Sequence, residues 1–371
     1  MSGKLSRRGA LGAGAALAAA VAIPARAAPA DLRLVAGTYA SEGGRGLYPI
    51  TYAAASDRWT VGAPSGPANA SFGVRSRRGI HYLLDEQAKG RVGAFRPAAG
   101  DWTALGPLLT TEGADPCHAA LDAAETSLAV ANYSSGNVAL FTLDRAGGIV
   151  GQPQLLQHEG HGPNADRQAG PHAHWVGFSP DGLWLHSVDL GNDRIVGAAF
   201  AAASGSLGAQ FTAYQAPAGS GPRHLVHHPR LATAYLVSEM ANTVTVLGND
   251  GGARFTARTI LPTLPAGFTG HSQAAHIAIS DAGDRLYVSN RGHDSIAVFA
   301  IDARGGLSMR QHVSTGGSWP RLFRLYEAQR RLLVANERAG EVAVFRIAAD
   351  GTLAPTGTRL PVPGVVFLER V

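Results

Sequence analysis

The segment from His158 to His174, "HEGHGPNADRQAGPHAH", places four histidines, one arginine and one glutamine within seventeen residues. Glycines and prolines interrupt it throughout, so it forms neither a regular helix nor a central strand. Such a loop is a solvated surface turn, a metal site, or a carrier of side chains into a reaction site. Histidine titrates near neutrality and serves as general acid or base. Arginine is a fixed cation whose planar fork suits a carbonyl oxyanion or a carboxylate. The pairs His158/His161 and His172/His174 invite a zinc reading, but they lack a neighbouring carboxylate–histidine order of known type. No Asp-rich loop supplies oxygen ligands for calcium. There is no P-loop, and "GSGPRH" has glycines without the strand–helix context of a dinucleotide site. No metal or other cofactor is therefore expected. His158 and His161 read as ordinary residues on a mobile start of the loop.

What positions this loop is a repeat. The segments "LRLVAGTYASEGGRGLYPI", "IHYLLDEQAKGRVGAF", "SLAVANYSSGNVALF", "LWLHSVDLGNDRIVGAAF", "TAYLVSEMANTVTVL", "RLYVSNRGHDSIAVF" and "RLLVANERAGEVAVF" share one pattern. Each is a short apolar alternation, a polar hinge, a Gly/Ser/Asn/Asp turn and a second alternation, which is a β-hairpin signature. The hinges begin near Gly37, Asp85, Ala131, Val188, Ser238, Ser289 and Ala335, about 46 to 57 residues apart, the length of a four-stranded propeller blade. Seven such units predict one all-β, seven-bladed β-propeller over residues 28–371, rather than the two domains that length alone suggests. A β-helix or a double sandwich fits the long, even repeat less well. The terminal units should pair, because an open ring would expose sheet edges.

The hinges place polar residues at equivalent points: Thr38, Glu86, Asn132, Asp189, Glu239, Asn290 and Asn336, with a one-residue ambiguity in blades two and five. Asn and Asp at such points satisfy backbone groups in turns, so most of this ring is expected to be structural. The expected exceptions carry an ionisable group, Glu239 in blade five and Arg291 in blade six.

The first 27 residues read as an export signal. Lys4, Arg7 and Arg8 form a basic start, an apolar stretch runs from Ala10 to Ile23, and Ala25-Arg26-Ala27 fits a cleavage pattern, giving a mature start near Ala28. The arginine pair after Ser6 favours the twin-arginine route over the general secretory one. The apolar stretch is too short and too rich in Ala and Gly for a good membrane span, so no stable insertion is expected after cleavage and the mature chain is expected outside the inner membrane. The formal charge of +5 falls to +1 once the four cations of this segment are set aside. With no basic run downstream, nucleic acid is not an expected partner. The single cysteine, Cys117, excludes an intrachain disulfide and reads as a packed thiol.

The stretches "DPCHAALDAAETSLAVANYSSGNVALF", "DRQAGPHAHWVGFSPDG", "VDLGNDRI", "GSGPRHLVHHP", "AYLVSEM" and "LYVSNRGHDSIAVF" resemble the seven-bladed propeller lactonase family, which includes propeller-type 6-phosphogluconolactonases and carboxy-muconate cyclases. The resemblance covers about Val35 to Phe345. It implies a site built from Arg167, Gln168, His172 and His174 of the loop, Arg223 and His224 of the Gly-Pro-Arg-His turn, Glu239, and Asn290 with Arg291. His276 stands where similar proteins carry an acid.

Lactone hydrolysis needs a deprotonated water, a stabilised oxyanion and a proton for the departing ring oxygen. The resemblance makes His172 or His174 and Glu239 the acid–base candidates, with Arg223 and Arg291 on the carbonyl or a carboxylate. Arg167, Gln168, His224, His276 and Asn290 are candidate substrate contacts. A small-molecule lactone is the expected partner, and the export signal favours a non-phosphorylated sugar lactone or a carboxylated one. The alternatives are a muconate-type cycloisomerase using the same arginines on carboxylates, and a non-catalytic binding propeller. The Arg-His-Glu-Arg set argues against the last.

Overall fold

The computed structural model describes Met1, Gly3 and residues 30–249 and 251–371. The export signal read over residues 1–27 lies, apart from Met1 and Gly3, outside the described residues. The strands form seven antiparallel sheets, each with a path of four strands, arranged as a closed seven-bladed propeller. Each hairpin expected from the repeat is the second and third strand of a blade, such as Ser127–Asn132 with Asn137–Leu143 in blade three. The first strands are Val365–Arg370, Ala70–Arg75, Pro116–Leu121, Ala173–Phe178, Pro222–His227, Gln273–Ile279 and Pro320–Tyr326. Each touches the first strand of both neighbouring blades, so together they encircle the central channel.

Burial follows this radial order. The second strands Ser127–Asn132, Thr233–Ser238 and Arg331–Asn336 are buried at every position, because blades cover both of their faces. Their sequences are correspondingly almost continuous apolar runs. The outermost strands, such as Thr256–Pro262, are mostly exposed. Among the described residues, no helix is long and apolar enough to cross a membrane.

The ring is closed by chain ends. Val365–Arg370 pairs with Leu32–Thr38, placing Arg370 opposite Leu34, as the edge argument requires. Neighbouring blades are also tied by a repeated device. The hydroxyls of Tyr82, Tyr235 and Tyr287 donate to the carbonyls of Gly147, Gly305 and Gly351 in the next blade at 2.9, 3.0 and 2.8 Å. Each of these glycines has a φ between 83° and 88°, a region costly for residues with a Cβ. Tyr235 is fully buried, so Tyr235→Phe, which leaves the Gly305 carbonyl unpaired, is expected to cost about 1–2 kcal/mol, measurable as a lower urea midpoint with unchanged slope.

Candidate functional site at the channel mouth

Two repeated features aim side chains into one end of the channel. The first is a register shift near the start of every first strand. A β-bulge re-aims the extra residue and is common beside active sites. The bulges present Ser71, Cys117, His174, Arg223, Ala275 with His276, Arg321 and Val366. The second feature is the residue that follows each hinge. Strand pairing makes Asp85 and Ser238 the equivalents of Asn132, Asp189, Asn290 and Asn336. Glu86 and Glu239 therefore fall one position later, in line with Tyr39, Tyr133, Leu190, Arg291 and Glu337. This resolves the ambiguity in blades two and five.

The hinge residues themselves are mostly used by their own turns. Asp189 Oδ1 accepts from the backbone N–H groups of His172, Gly191 and Asn192, and Asn132 donates to the Thr111 carbonyl.

Glu239 is the hub of one half of the mouth. Its Oε1 accepts from Arg167 Nη2 at 2.7 Å and its Oε2 accepts from Arg223 Nε at 3.1 Å, while Arg291 Nη2 forms an ion pair with Oε2 at 2.6 Å. Burial alone would raise the carboxyl's pKa. The charges of Arg291 and Arg223, with the hydrogen bond from Arg167, outweigh burial and hold it far below the usual carboxylate range. Glu239 is therefore a fixed anion that locks three guanidinium groups in place. Arg223 also donates to the Ala275 carbonyl at 2.8 Å and to His224 Nε2 at 3.0 Å. Arg167 is the most exposed of the three, at 34% of its side chain.

Below this hub lies a floor of imidazoles. His224 is 5.3 Å from both His118 and His174 and 5.4 Å from His276, centroid to centroid. Because His224 Nε2 accepts from Arg223, its Nδ1 carries the proton and donates to His276 Nδ1 at 3.2 Å. Burial, reinforced by nearby arginine charge, pushes all four imidazoles well below their ordinary pKa, His118 to about 3. The floor is thus neutral at neutral pH, and His276 gives His224 an acceptor without a counter-charge. His172 sits higher and is partly exposed. Its ring stacks on Tyr133 at 4.5 Å, and its Nδ1 donates to the Tyr133 carbonyl at 3.0 Å, which leaves Nε2 as an acceptor.

The other half of the mouth was not anticipated from the sequence. Arg321 lies 3.7 Å from Glu86 and 3.8 Å from Glu337, beyond hydrogen-bond length, and 5.3 Å over the Tyr39 ring. Trp319 forms the adjoining wall, with Arg338 3.5 Å and Arg291 5.4 Å over its ring. Its φ of 65° is a strained conformation for a bulky residue. The available signal was the repetition of Pro-Arg, at Pro222-Arg223 and again at Pro320-Arg321. Six of the bulged residues, with Glu86, line a cavity of about 20 Å³ at the centre of the ring, room for about one water molecule.

The structure brings together Arg167, His172, His174, Arg223, His224, Glu239, His276 and Arg291. It does not bring Gln168 and Asn290 to the channel, which corrects their reading as substrate contacts. Gln168 is fully buried and its amide donates to the Leu190 carbonyl and Asp193 Oδ1 at 2.8 and 2.9 Å, bracing the loop. Asn290 is equally buried and exchanges hydrogen bonds with Thr263. His158 is not mobile surface: it is buried, with Nδ1 2.7 Å from Asp189, and anchors the start of the loop. Burial, with Glu86 nearby, raises the Cys117 thiol, so it stays protonated and packed against His174. Among the described residues, no group of three or more His, Cys, Asp or Glu is placed to hold a metal ion.

Residues 33–369 match the family described as Lactonase, 7-bladed beta-propeller. The chain belongs to this lactonase family. It is 32% identical over 348 residues to 6-phosphogluconolactonase of Bacillus subtilis, spanning 90% of this chain and 98% of that protein. Among solved structures, the periplasmic gluconolactonase of Pseudomonas aeruginosa superposes with a TM-score of 0.85 at 27% identity, covering 92% of this chain and 99% of the other. A protein from Lactobacillus plantarum superposes with a TM-score of 0.85 at 29% identity, over 92% and 100% of the two chains.

Proposed function

We propose that this chain hydrolyses a non-phosphorylated sugar lactone or a carboxylated lactone at the channel mouth. The observation that carries this reading is the convergence of Arg167, Arg223 and Arg291 on one ionised carboxylate, Glu239. A locked guanidinium needs no reorganisation when charge develops nearby, and this is the largest single contribution an enzyme makes to acyl transfer. N–H donors of Arg223 and Arg291 not engaged by Glu239 would meet the carbonyl oxygen as water attacks the carbonyl carbon. The ring C–O bond then breaks, and the ring oxygen leaves with a proton as the hydroxyl of the product acid. Glu239 holds the arginines and, being so firmly ionised, does not carry that proton. His172 is accessible and has its tautomer fixed by the Tyr133 carbonyl, so it is better placed than buried His174 to contact substrate.

The preference for a non-phosphorylated substrate is supported by the export signal read in residues 1–27 and by the likeness to a periplasmic gluconolactonase. The same signal supports an exported location. The muconate-type cycloisomerase and the binding propeller are distinguished from this reading by activity. The purified chain, titrated at constant pH with gluconolactone, 6-phosphogluconolactone and a carboxymuconolactone, is expected to exceed the spontaneous rate with and without chelator. kcat/KM should favour a non-phosphorylated lactone by about tenfold or more, equivalent to ~1.4 kcal/mol. Preference for the phosphorylated lactone would overturn the substrate assignment, and no turnover on any of the three would overturn the activity.

A further inference from the structure

Three glutamates occupy the same position after the hinge, in blades two, five and seven, and their surroundings differ. Glu239 is held by three arginines at 2.6 to 3.1 Å. Glu337 is buried, its Oε2 lacks a hydrogen-bond partner, and it lies off the central cavity. Glu86 lines that cavity beside Arg321, Arg223, His174 and Cys117, and its arginine is 3.7 Å away rather than hydrogen-bonded. We infer that Glu86, rather than Glu239, is the proton carrier of the reaction, and that Arg321 is its partner on the reacting carbonyl. This rests on the lactonase reading above.

The step balances with one water and one lactone. The Glu86 carboxylate takes a proton from water in the central cavity as the water oxygen bonds to the carbonyl carbon. Negative charge moves to the carbonyl oxygen, where Arg321 adds its donors to those of Arg223 and Arg291. As the carbonyl re-forms, the ring C–O bond breaks and Glu86 returns its proton to the ring oxygen. Glu86 ends as it began, ionised. Burial raises its pKa from the ordinary glutamate value, the direction that suits a base required to return its proton. The opposite environments of Glu86 and Glu239 divide the labour between a carboxylate that moves a proton and one that fixes cations.

The test uses the full chain and whichever lactone of the panel it hydrolyses. Glu86→Gln is expected to lower kcat by about 10²–10⁴-fold with KM changed far less, and to abolish the acidic limb of the kcat/KM–pH profile. Glu86→Asp, which keeps the carboxylate, should recover part of the rate and the limb. Thermal denaturation of each variant separates lost chemistry from lost folding. Wild-type turnover with Glu86→Gln within about threefold of it and an unchanged profile overturns the inference alone, as would equal losses in Glu86→Asp and Glu86→Gln. Absence of wild-type turnover overturns the lactonase reading, and the inference with it.

Discussion

Glu239→Gln is expected to lower the stability of the fold by about 3–5 kcal/mol, the usual consequence of removing one partner from a buried ion pair. Arg223 and Arg291 are exposed over only 2% and 5% of their side chains, so water cannot replace the lost counter-charge. The glutamine keeps the volume and one acceptor oxygen but turns an amide donor toward guanidinium donors. Turnover should fall with stability, because the arginines that would meet the oxyanion are no longer held. Arg167→Met should be far milder in stability, about 1 kcal/mol or less, because that side chain is one-third exposed and solvent screens its pair. Urea denaturation of the two single variants, together with a Glu239→Gln/Arg291→Met double variant, checks this. Partial recovery of stability in the double variant identifies uncompensated charge as the cause. An unchanged midpoint in Glu239→Gln would show that Glu239 is not the counter-charge of this cluster.

A loss of several kcal/mol is also expected between pH 7.5 and pH 5, and part of its origin lies away from the channel mouth. His81, His186 and His227 are each pushed down to about 4, in every case first by burial. The charge of Arg75 adds to burial at His81, whereas Asp181 opposes it at His186 and His227. An unfolded imidazole titrates near 6.5, so between these values the unfolded chain binds more protons than the folded one. Stability is therefore fully present above about pH 7 and falls as pH drops from 6.5 toward 4. Each of these histidines contributes at most about 2 kcal/mol to the loss at pH 5, and the neutral floor histidines act in the same direction. His81 is the cleanest probe. Neither of its ring nitrogens has a hydrogen-bond partner, and its ring meets Trp102 edge-on at 5.0 Å. His81→Phe keeps that contact and deletes the proton site, so it should lessen the fall of the urea midpoint between pH 7.5 and 5 without harming stability at the higher pH. An unchanged pH dependence would rule His81 out as a source of the acid sensitivity.

The propeller was legible because blades impose a period. The buried second strands must be apolar and the hinges polar, and seven returns of that alternation leave little choice of architecture. The site was legible only in part. The histidine-rich loop and the ionisable hinge of Glu239 stood out as polar segments, and the family resemblance then named Arg167, His172, His174 and Glu239 within them. Arg321 was missed, since it lies inside an otherwise ordinary strand pattern, "WPRLFRLY", where the Pro-Arg pair shared with Pro222-Arg223 was its cue. A bulge moves one residue off the pleat without changing composition, so alternation does not report it. Gln168 and Asn290 show the converse. An amide that braces a buried loop and one that binds a ligand are the same letter, and only their hydrogen-bond partners separate them.

The clasp between Leu32–Thr38 and Val365–Arg370 joins segments more than 300 residues apart. Closing a flexible loop of that length costs about 5 kcal/mol of chain entropy by length scaling alone, so the clasp is expected to form after the intervening blades. The same separation acts in reverse. With Val365, Phe367 and Leu368 wholly buried, strand release must precede any general opening of blade one, and its barrier governs how often that happens. The working life of this protein is then expected to be a rate, set by how seldom one six-residue strand lets go, and unfolding followed over time in urea would read it.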